Sequence, residues 1–466
     1  MKAFLKPLLW GVFLGVAAVF SPGGVFVLLL AVGGSLALRR FGPPEDRAFL
    51  VRLFLVAFLL RVGLSLCLDV VSWKVEGRLP TRWGPPRVWD LGAIDQSRKF
   101  LRLGDSDYYS ERGYALAHYA AGNRAFTVLQ RITRYGDHAY LQVIGWFYYT
   151  FGFSPFSMKW LNGWFGALHV IALFFLAKRC FQSRIARWAG GLAAGFPTLL
   201  VWSSSNLKDP LLYLLITLLL LLFTTFRTAA RLKHRIAFLA VFGAIFWVTR
   251  SFRREEWSLV LVACLVGIGI LEWCIRKRQY ALLLFSVIAL MALHPAEKVQ
   301  AALRMAVYRH MGYYHTDSMT YRYLPDRFYD PSIEDPKRDA KLPGAAIRGI
   351  PTALKHYFFE PFPSRTVSGS ALFMIPQMLI WYFLLPFALI GAAAGIRWNT
   401  WNCAFLAALL LIWIPMGAMA IGNVGILTRM RDMTTPFILI FSAAGFWIFA
   451  RGRQGFSGEV LHHVAG

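Results

Sequence analysis

Apolar runs of near-bilayer length recur along the chain, separated by short basic turns and two long polar stretches. The runs fall at 5–20, 24–38, 47–70, 157–177, 184–203, 209–226, 236–250, 256–274, 279–294, 368–395, 401–421 and 433–450. Each approaches the roughly 20 residues a helix needs to cross a bilayer. The strict alternation of a transmembrane barrel strand is absent, and lipid admits only helices or closed barrels. The pattern predicts an all-α polytopic membrane protein with about 12 transmembrane helices. Ser21-Pro22-Gly23-Gly24 interrupts the first two runs as a turn. The start, with Lys2 and Lys6 before an apolar stretch, looks like a signal peptide. The second run, ending at Arg39-Arg40, makes it a hairpin retained in the membrane. Tyr140 to Phe153 is apolar and aromatic but only about 14 residues long, which suits an interfacial or re-entrant helix.

Basic residues mark one end of most runs. Lys2/Lys6, Arg39-Arg40, Lys178-Arg179, Arg227/Arg231, Arg276-Lys277-Arg278, Arg397 and Arg451/Arg453 fall at alternate turns. The positive-inside rule then puts both termini in the cytoplasm and the long stretches 71–156 and 295–367 outside. The expected organisation is a membrane hairpin (1–46), a membrane core with the first outer loop (47–294), an outer cap loop (295–367) and C-terminal transmembrane helices with a short cytoplasmic tail (368–466). The expected site is integral to a membrane, the bacterial inner membrane, with chemistry facing the periplasm or exterior.

Composition removes other classes. The net charge of +26 arises from 50 Lys and Arg against 24 Asp and Glu. Many of the basic residues sit in the short turns, so topology accounts for them and nucleic acid is not an expected partner. Such a surface also suits anionic head groups and phosphate-bearing lipids. The five cysteines lie in or beside apolar runs, and no pair makes a CxxC, so neither a disulfide framework nor a zinc site is implied. No Walker loop, nucleophile elbow or His-Glu-x-x-His motif occurs.

Four polar clusters, far apart in sequence, fall on the outer face of this topology. The first is Gly104-Asp105-Ser106-Asp107-Tyr108-Tyr109. Asp105 and Asp107 can serve as a general base on a hydroxyl or hold a cation that carries phosphate. They equally suit the N-cap of a helix. The second is Ser203-Ser204-Ser205-Asn206-Leu207-Lys208-Asp209-Pro210. Helix-start chemistry explains it, yet Lys208 and Asp209 are ionisable residues at or near membrane depth. The third, Arg250 to Glu256, and the fourth, Gly422 to Asp432 with Arg429 and Arg431, are outer turns with excess positive charge. An anionic ligand or local ion pairing explains either one; two arginines can fork onto phosphate oxygens.

In this order and on one face, the clusters resemble the GT-C superfamily of polytopic glycosyltransferases, which includes protein O-mannosyltransferases and lipid A aminoarabinose transferases. The likeness begins with Asp105-Ser106-Asp107 and Tyr114-Ala115-Leu116-Ala117. It continues through Ala139-Tyr140-Leu141, Phe151-Gly152, Leu161-Asn162-Gly163, Gly195-Phe196-Pro197 and Ser205 to Pro210, and closes with Gly425 to Arg431 and Thr435-Pro436. The usual adjacent Asp-Glu pair is replaced here by two acids separated by Ser106.

The resemblance implies transfer of a sugar from a polyprenyl-phosphate donor to a glycan, lipid or protein acceptor. Asp105 would act as the base. Asp107 would assist it or hold a divalent cation, Mg or Mn. Lys208, Asp209, Arg429 and Arg431, with Arg250 and Glu256, would bind substrate and phosphate. A polysaccharide polymerase or ligase shares this topology without needing a strict Asp base. A transport or non-catalytic subunit of an envelope polysaccharide export complex is the reading from a different class. A transporter's internal repeat is absent from the sequence.

Overall fold

The computed structural model describes residues 21–76, 106–123, 138–228, 232–252, 345–362, 375–398, 400–420 and 424–451. Among them every regular element is a helix. The chain divides into two compact units, 1–258 and 259–466.

In the first unit, α1 (Pro22–Phe41) and α2 (Arg47–Glu76) pack on each other and on a central helix, α5 (Pro155–Cys180). Both α1 and α5 begin with serine followed by proline, which suits the first helical turn. Ser21 Oγ accepts from Gly24 N and Ser154 Oγ from Ser157 N, each at 3.3 Å. The α1 cap also meets the first turn of α5, Ser21 Oγ lying 2.7 Å from Ser157 Oγ. At their other ends a buried carboxylate ties turn to turn. Asp46, fully buried, accepts from Lys178 Nζ at 2.7 Å, Ser183 Oγ at 2.7 Å and Arg187 NH2 at 2.8 Å. Burial pushes its carboxyl up, but these donors outweigh it and hold the group below its ordinary range.

Two shorter helices, α3 (Ser106–Ala120) and α4 (His138–Phe151), pack as a pair. Each uses a glycine where the other presents a branched side chain. A Cβ on Gly113 would overlap Ile144, and one on Gly145 would come within 2.7 Å of Leu116. The short apolar helix expected near 140–153 is therefore α4, and its partner is the helix that follows the acidic motif.

The expected span at 184–203 is not one helix. It is α6 (Ser183–Gly195) followed by α7 (Pro197–Ser203). Pro197 has no N–H for the continuing ladder, and it drives Phe196 to extended geometry, φ −65° and ψ 123°. Neither piece has spanning length. The unit closes with α8 (Asp209–Thr228) on α5, and α9 (Leu232–Arg250) on α8.

The second unit comprises α10 (Ala345–Phe359), α11 (Ile375–Trp398), α12 (Thr400–Ala420), α13 (Val424–Asp432) and α14 (Thr435–Arg451). Helices α11 and α14 cross at paired glycines: a Cβ on Gly391 would overlap Phe441 O, and one on Gly445 would overlap Phe387 O.

The expectation of about 12 spans is not met. Among the described residues four helices are long and apolar enough to cross a membrane: Pro22–Phe41, Arg47–Val71, Pro155–Cys180 and Ile375–Trp398. Four more apolar segments are shorter: Asp209–Thr225, Ile236–Thr249, Trp401–Pro415 and Thr435–Ala450. The predicted runs 5–20, 256–274 and 279–294 lie outside the described residues. Large apolar side chains stand exposed on several helices, among them Leu59, Trp247, Leu389 and Leu411. Exposure on that scale suits lipid rather than water as the neighbour. In α5, by contrast, 72% of the apolar window is buried, which makes it the core of its unit.

Candidate functional site

The site is built on the non-helical segment between α7 and α8. Three serines finish α7: Ser204 Oγ donates to Leu200 O at 2.8 Å, Ser205 Oγ to Val201 O at 3.0 Å, and Ser203 Oγ bonds Leu199 O. They cap the end of one helix rather than the start of the next. Loop carbonyls still need donors, because buried backbone polar groups are costly when unpaired. Asn162 of α5 supplies them. Its Nδ2 lies 2.7 Å from Ser205 O and 2.9 Å from Leu207 O, and 2.7 Å from the Tyr140 hydroxyl.

Asn206 binds the loop to the helix that follows the acidic motif. Its backbone N donates to Ser106 Oγ at 3.1 Å, and its Nδ2 donates to Ser110 Oγ at 2.7 Å. Its Oδ1 accepts from Tyr140 OH at 2.8 Å. The Tyr140 ring is edge-on to Tyr109, centroids 5.2 Å apart, and tilted on Phe252 at 6.3 Å. Ala139 N donates to Ser251 O at 3.4 Å. Segments from three of the four clusters, about residues 106, 206 and 251, thus meet around one tyrosine of α4.

Burial pushes the hydroxyls of Tyr140 and Tyr148 well above the ordinary tyrosine range. Tyr140 OH accepts from Asn162 Nδ2, so its own proton goes to Asn206 Oδ1, which sets the Asn206 amide with its oxygen toward Tyr140 and its nitrogen toward Ser110. Arg112 rests 4.0 Å over the Tyr108 ring on the same helix.

Asp209 opens α8 and is 3% exposed, with no hydrogen-bond partner on Oδ2. It is a carboxylate held close beneath the loop. Lys208 beside it is half-buried. Asp105 lies outside the described residues, and Asp107 is in the first turn of α3 with its side chain outside them. The side chain of Arg250 and the whole of Glu256 also lie outside. Among the described residues no group of three or more His, Cys, Asp and Glu gathers for a metal.

Arg429 and Arg431 belong to the second unit, and they differ. Arg429 is half-buried. Arg431 is fully buried: NH1 donates to Glu360 O at 2.6 Å and Tyr357 O at 3.2 Å, the guanidinium lies 5.4 Å over the Trp381 ring, and Nε has no hydrogen-bond partner. It caps the carbonyl end of α10, where a cation complements the helix dipole. Burial pulls its pKa down, while Asp432 and the neighbouring tyrosines oppose that. In this arrangement NH1 of Arg431 is engaged by the end of α10 rather than turned to a phosphate. Tyr357 OH, 2.5 Å from Thr434 Oγ1, completes the join.

Sequence reasoning assigned no chemistry to Asn162, Tyr140 or Ser110, and it passed over Arg61. Arg61 is 1% exposed, midway along α2. The signal available was an arginine set a full 14 residues inside the helix start. No family model, curated protein or solved structure matches the chain.

Proposed function

We propose that the protein is a membrane glycosyltransferase of GT-C type that moves a sugar from a polyprenyl-phosphate donor to a hydroxyl acceptor on the non-cytoplasmic face of a bacterial inner membrane. One observation carries the reading: the loop Ser203–Asp209, with its lysine and buried aspartate, is hydrogen-bonded to Ser106, the residue that separates Asp105 from Asp107. The two motifs that bear the resemblance are about 100 residues apart in sequence and adjoin in the fold.

In the proposed step the acceptor oxygen attacks the anomeric carbon as its proton passes to Asp105. The bond from that carbon to the phosphate oxygen breaks, and polyprenyl phosphate leaves with the electron pair. Lys208 stabilises the charge that grows on the phosphate. Tyr140 and Asn162 touch no substrate in this scheme; they hold the loop.

The test is turnover of radiolabelled polyprenyl-phosphate hexoses by the protein in proteoliposomes, read as release of polyprenyl phosphate. Asp105→Asn abolishes release while leaving insertion and unfolding unchanged. Full turnover by Asp105→Asn removes the proposed base, and the reading with it.

A further inference from the structure

Arg61 is an arginine inside a transmembrane helix with no carboxylate in ion-pair contact among the described residues. Such a residue is costly in a membrane and persists only where the structure answers its charge. The answer here is the broken helix. Where α6 stops at Gly195, carbonyls lose the amides that a continuing helix would supply, and Pro197 has none to give. Arg61 NH1 donates to Ala194 O at 3.4 Å and to Ala57 O of its own helix at 2.8 Å. Its Nε donates to Ser203 Oγ at 2.8 Å, at the far end of α7. One guanidinium therefore spans α7, from the break before it to the site loop after it. The carbonyl end of α6 also supplies negative dipole. A planar fork can serve these divergent acceptors, which an ammonium cannot.

The space for this side chain is made by glycine. A Cβ on Gly166 would lie 2.5 Å from Arg61 Nε and 2.7 Å from Ser203 Cβ, and one on Gly163 would lie 3.2 Å from Arg61 Cβ. We infer that Arg61, seated on Gly163 and Gly166, is a positioning residue that sets the Ser203–Asp209 loop for the transfer reaction. This rests on the glycosyl-transfer reading for its activity arm, and on geometry alone for the clamp.

The experiment compares Arg61→Lys, Gly166→Ala and the control Gly63→Ala in phospholipid nanodiscs. Gly63 lies two residues from Arg61 in the same helix, and a Cβ there meets nothing within 4 Å. Two quantities are read: amide hydrogen exchange over residues 203–209, and kcat and KM for polyprenyl-phosphate hexose turnover. Exchange in that segment rises on the order of 10-fold in both clamp variants. Their kcat falls on the order of 10- to 100-fold with KM within about twofold, because a displaced loop fails the leaving phosphate rather than the lipid tail. Gly63→Ala matches the wild type in both. If Arg61→Lys does not fold, Gly166→Ala still decides, since it removes no polar group. Unchanged exchange overturns the clamp. Raised exchange with unchanged kcat overturns the positioning role. A wild type that turns over no such donor sinks the transfer reading instead, while exchange still decides the clamp.

Discussion

Replacing Asn162 by alanine strips one amide from three acceptors. Asn162 is fully buried, and its Nδ2 serves Tyr140 OH, Ser205 O and Leu207 O within 2.9 Å. Ser205 O retains Leu207 N at 3.0 Å, and Tyr140 OH retains Asn206 Oδ1 at 2.8 Å. Leu207 O loses the amide that serves it. A buried acceptor left unmet costs about 1–3 kcal/mol, and the amide's second proton, shared between the other two acceptors, about 0.5–1.5 kcal/mol. The sum is about 3 kcal/mol, roughly a 150-fold shift in the folding equilibrium. The assay is equilibrium unfolding in mixed micelles by sodium dodecyl sulfate titration, followed by tryptophan fluorescence. A loss under about 1 kcal/mol for Asn162→Ala would refute the claim that this amide holds the loop.

Three further outcomes are expected. Asp46→Asn costs about 2 kcal/mol, at the lower end for bonds to a charged group because Lys178 and Arg187 reach water. The lowered folded pKa of Asp46 makes this contribution complete above the unfolded carboxyl range and lost as pH falls through the depressed folded value. Thermal midpoints of wild type and Asp46→Asn should therefore run parallel from pH 8 to about 5 and converge below about 4. Gly391→Ala drives α11 from α14 and costs about 1–3 kcal/mol, measured as loss of monodisperse protein in detergent, whereas Gly33→Ala, which meets nothing, leaves the yield intact. Arg431→Lys keeps the charge and loses the fork on Glu360 O and Tyr357 O. It lowers thermal stability by about 1–2 kcal/mol and leaves donor KM unchanged; a raised KM with intact stability would return Arg431 to the substrate.

Much of the helical layout was legible in the sequence. Ser21-Pro22, Ser154-Pro155 and Asp209-Pro210 each mark a helix start where the structure has one. Proline elsewhere was ambiguous. Pro197 breaks its run, while Pro386 and Pro415 sit inside α11 and α12. The difference lies in neighbours: Arg61, 133 residues away in sequence, answers a carbonyl freed at the first break. No local pattern carries that. The convergence of residues near 106, 206 and 251 was suggested only by their common side in the predicted topology, and Tyr140 and Asn162, which join them, entered only as parts of the resemblance, with no role of their own. Arg429 and Arg431 are two positions apart, so their side chains leave a helix in different directions. Sequence grouped them; the helix separates a buried cap from a half-buried cation.

The central claim is that the acidic motif and the Ser203–Asp209 loop act as one site. Its most direct measurement is a double-mutant cycle on donor turnover, with Ser110→Ala and Asn206→Ala alone and together, because Asn206 Nδ2 donates to Ser110 Oγ of the helix that follows the acidic motif. Each single change should lower kcat on the order of 10-fold, and the pair should fall little further, because both sever the same junction. Losses that multiply, or singles that leave turnover intact, would contradict it.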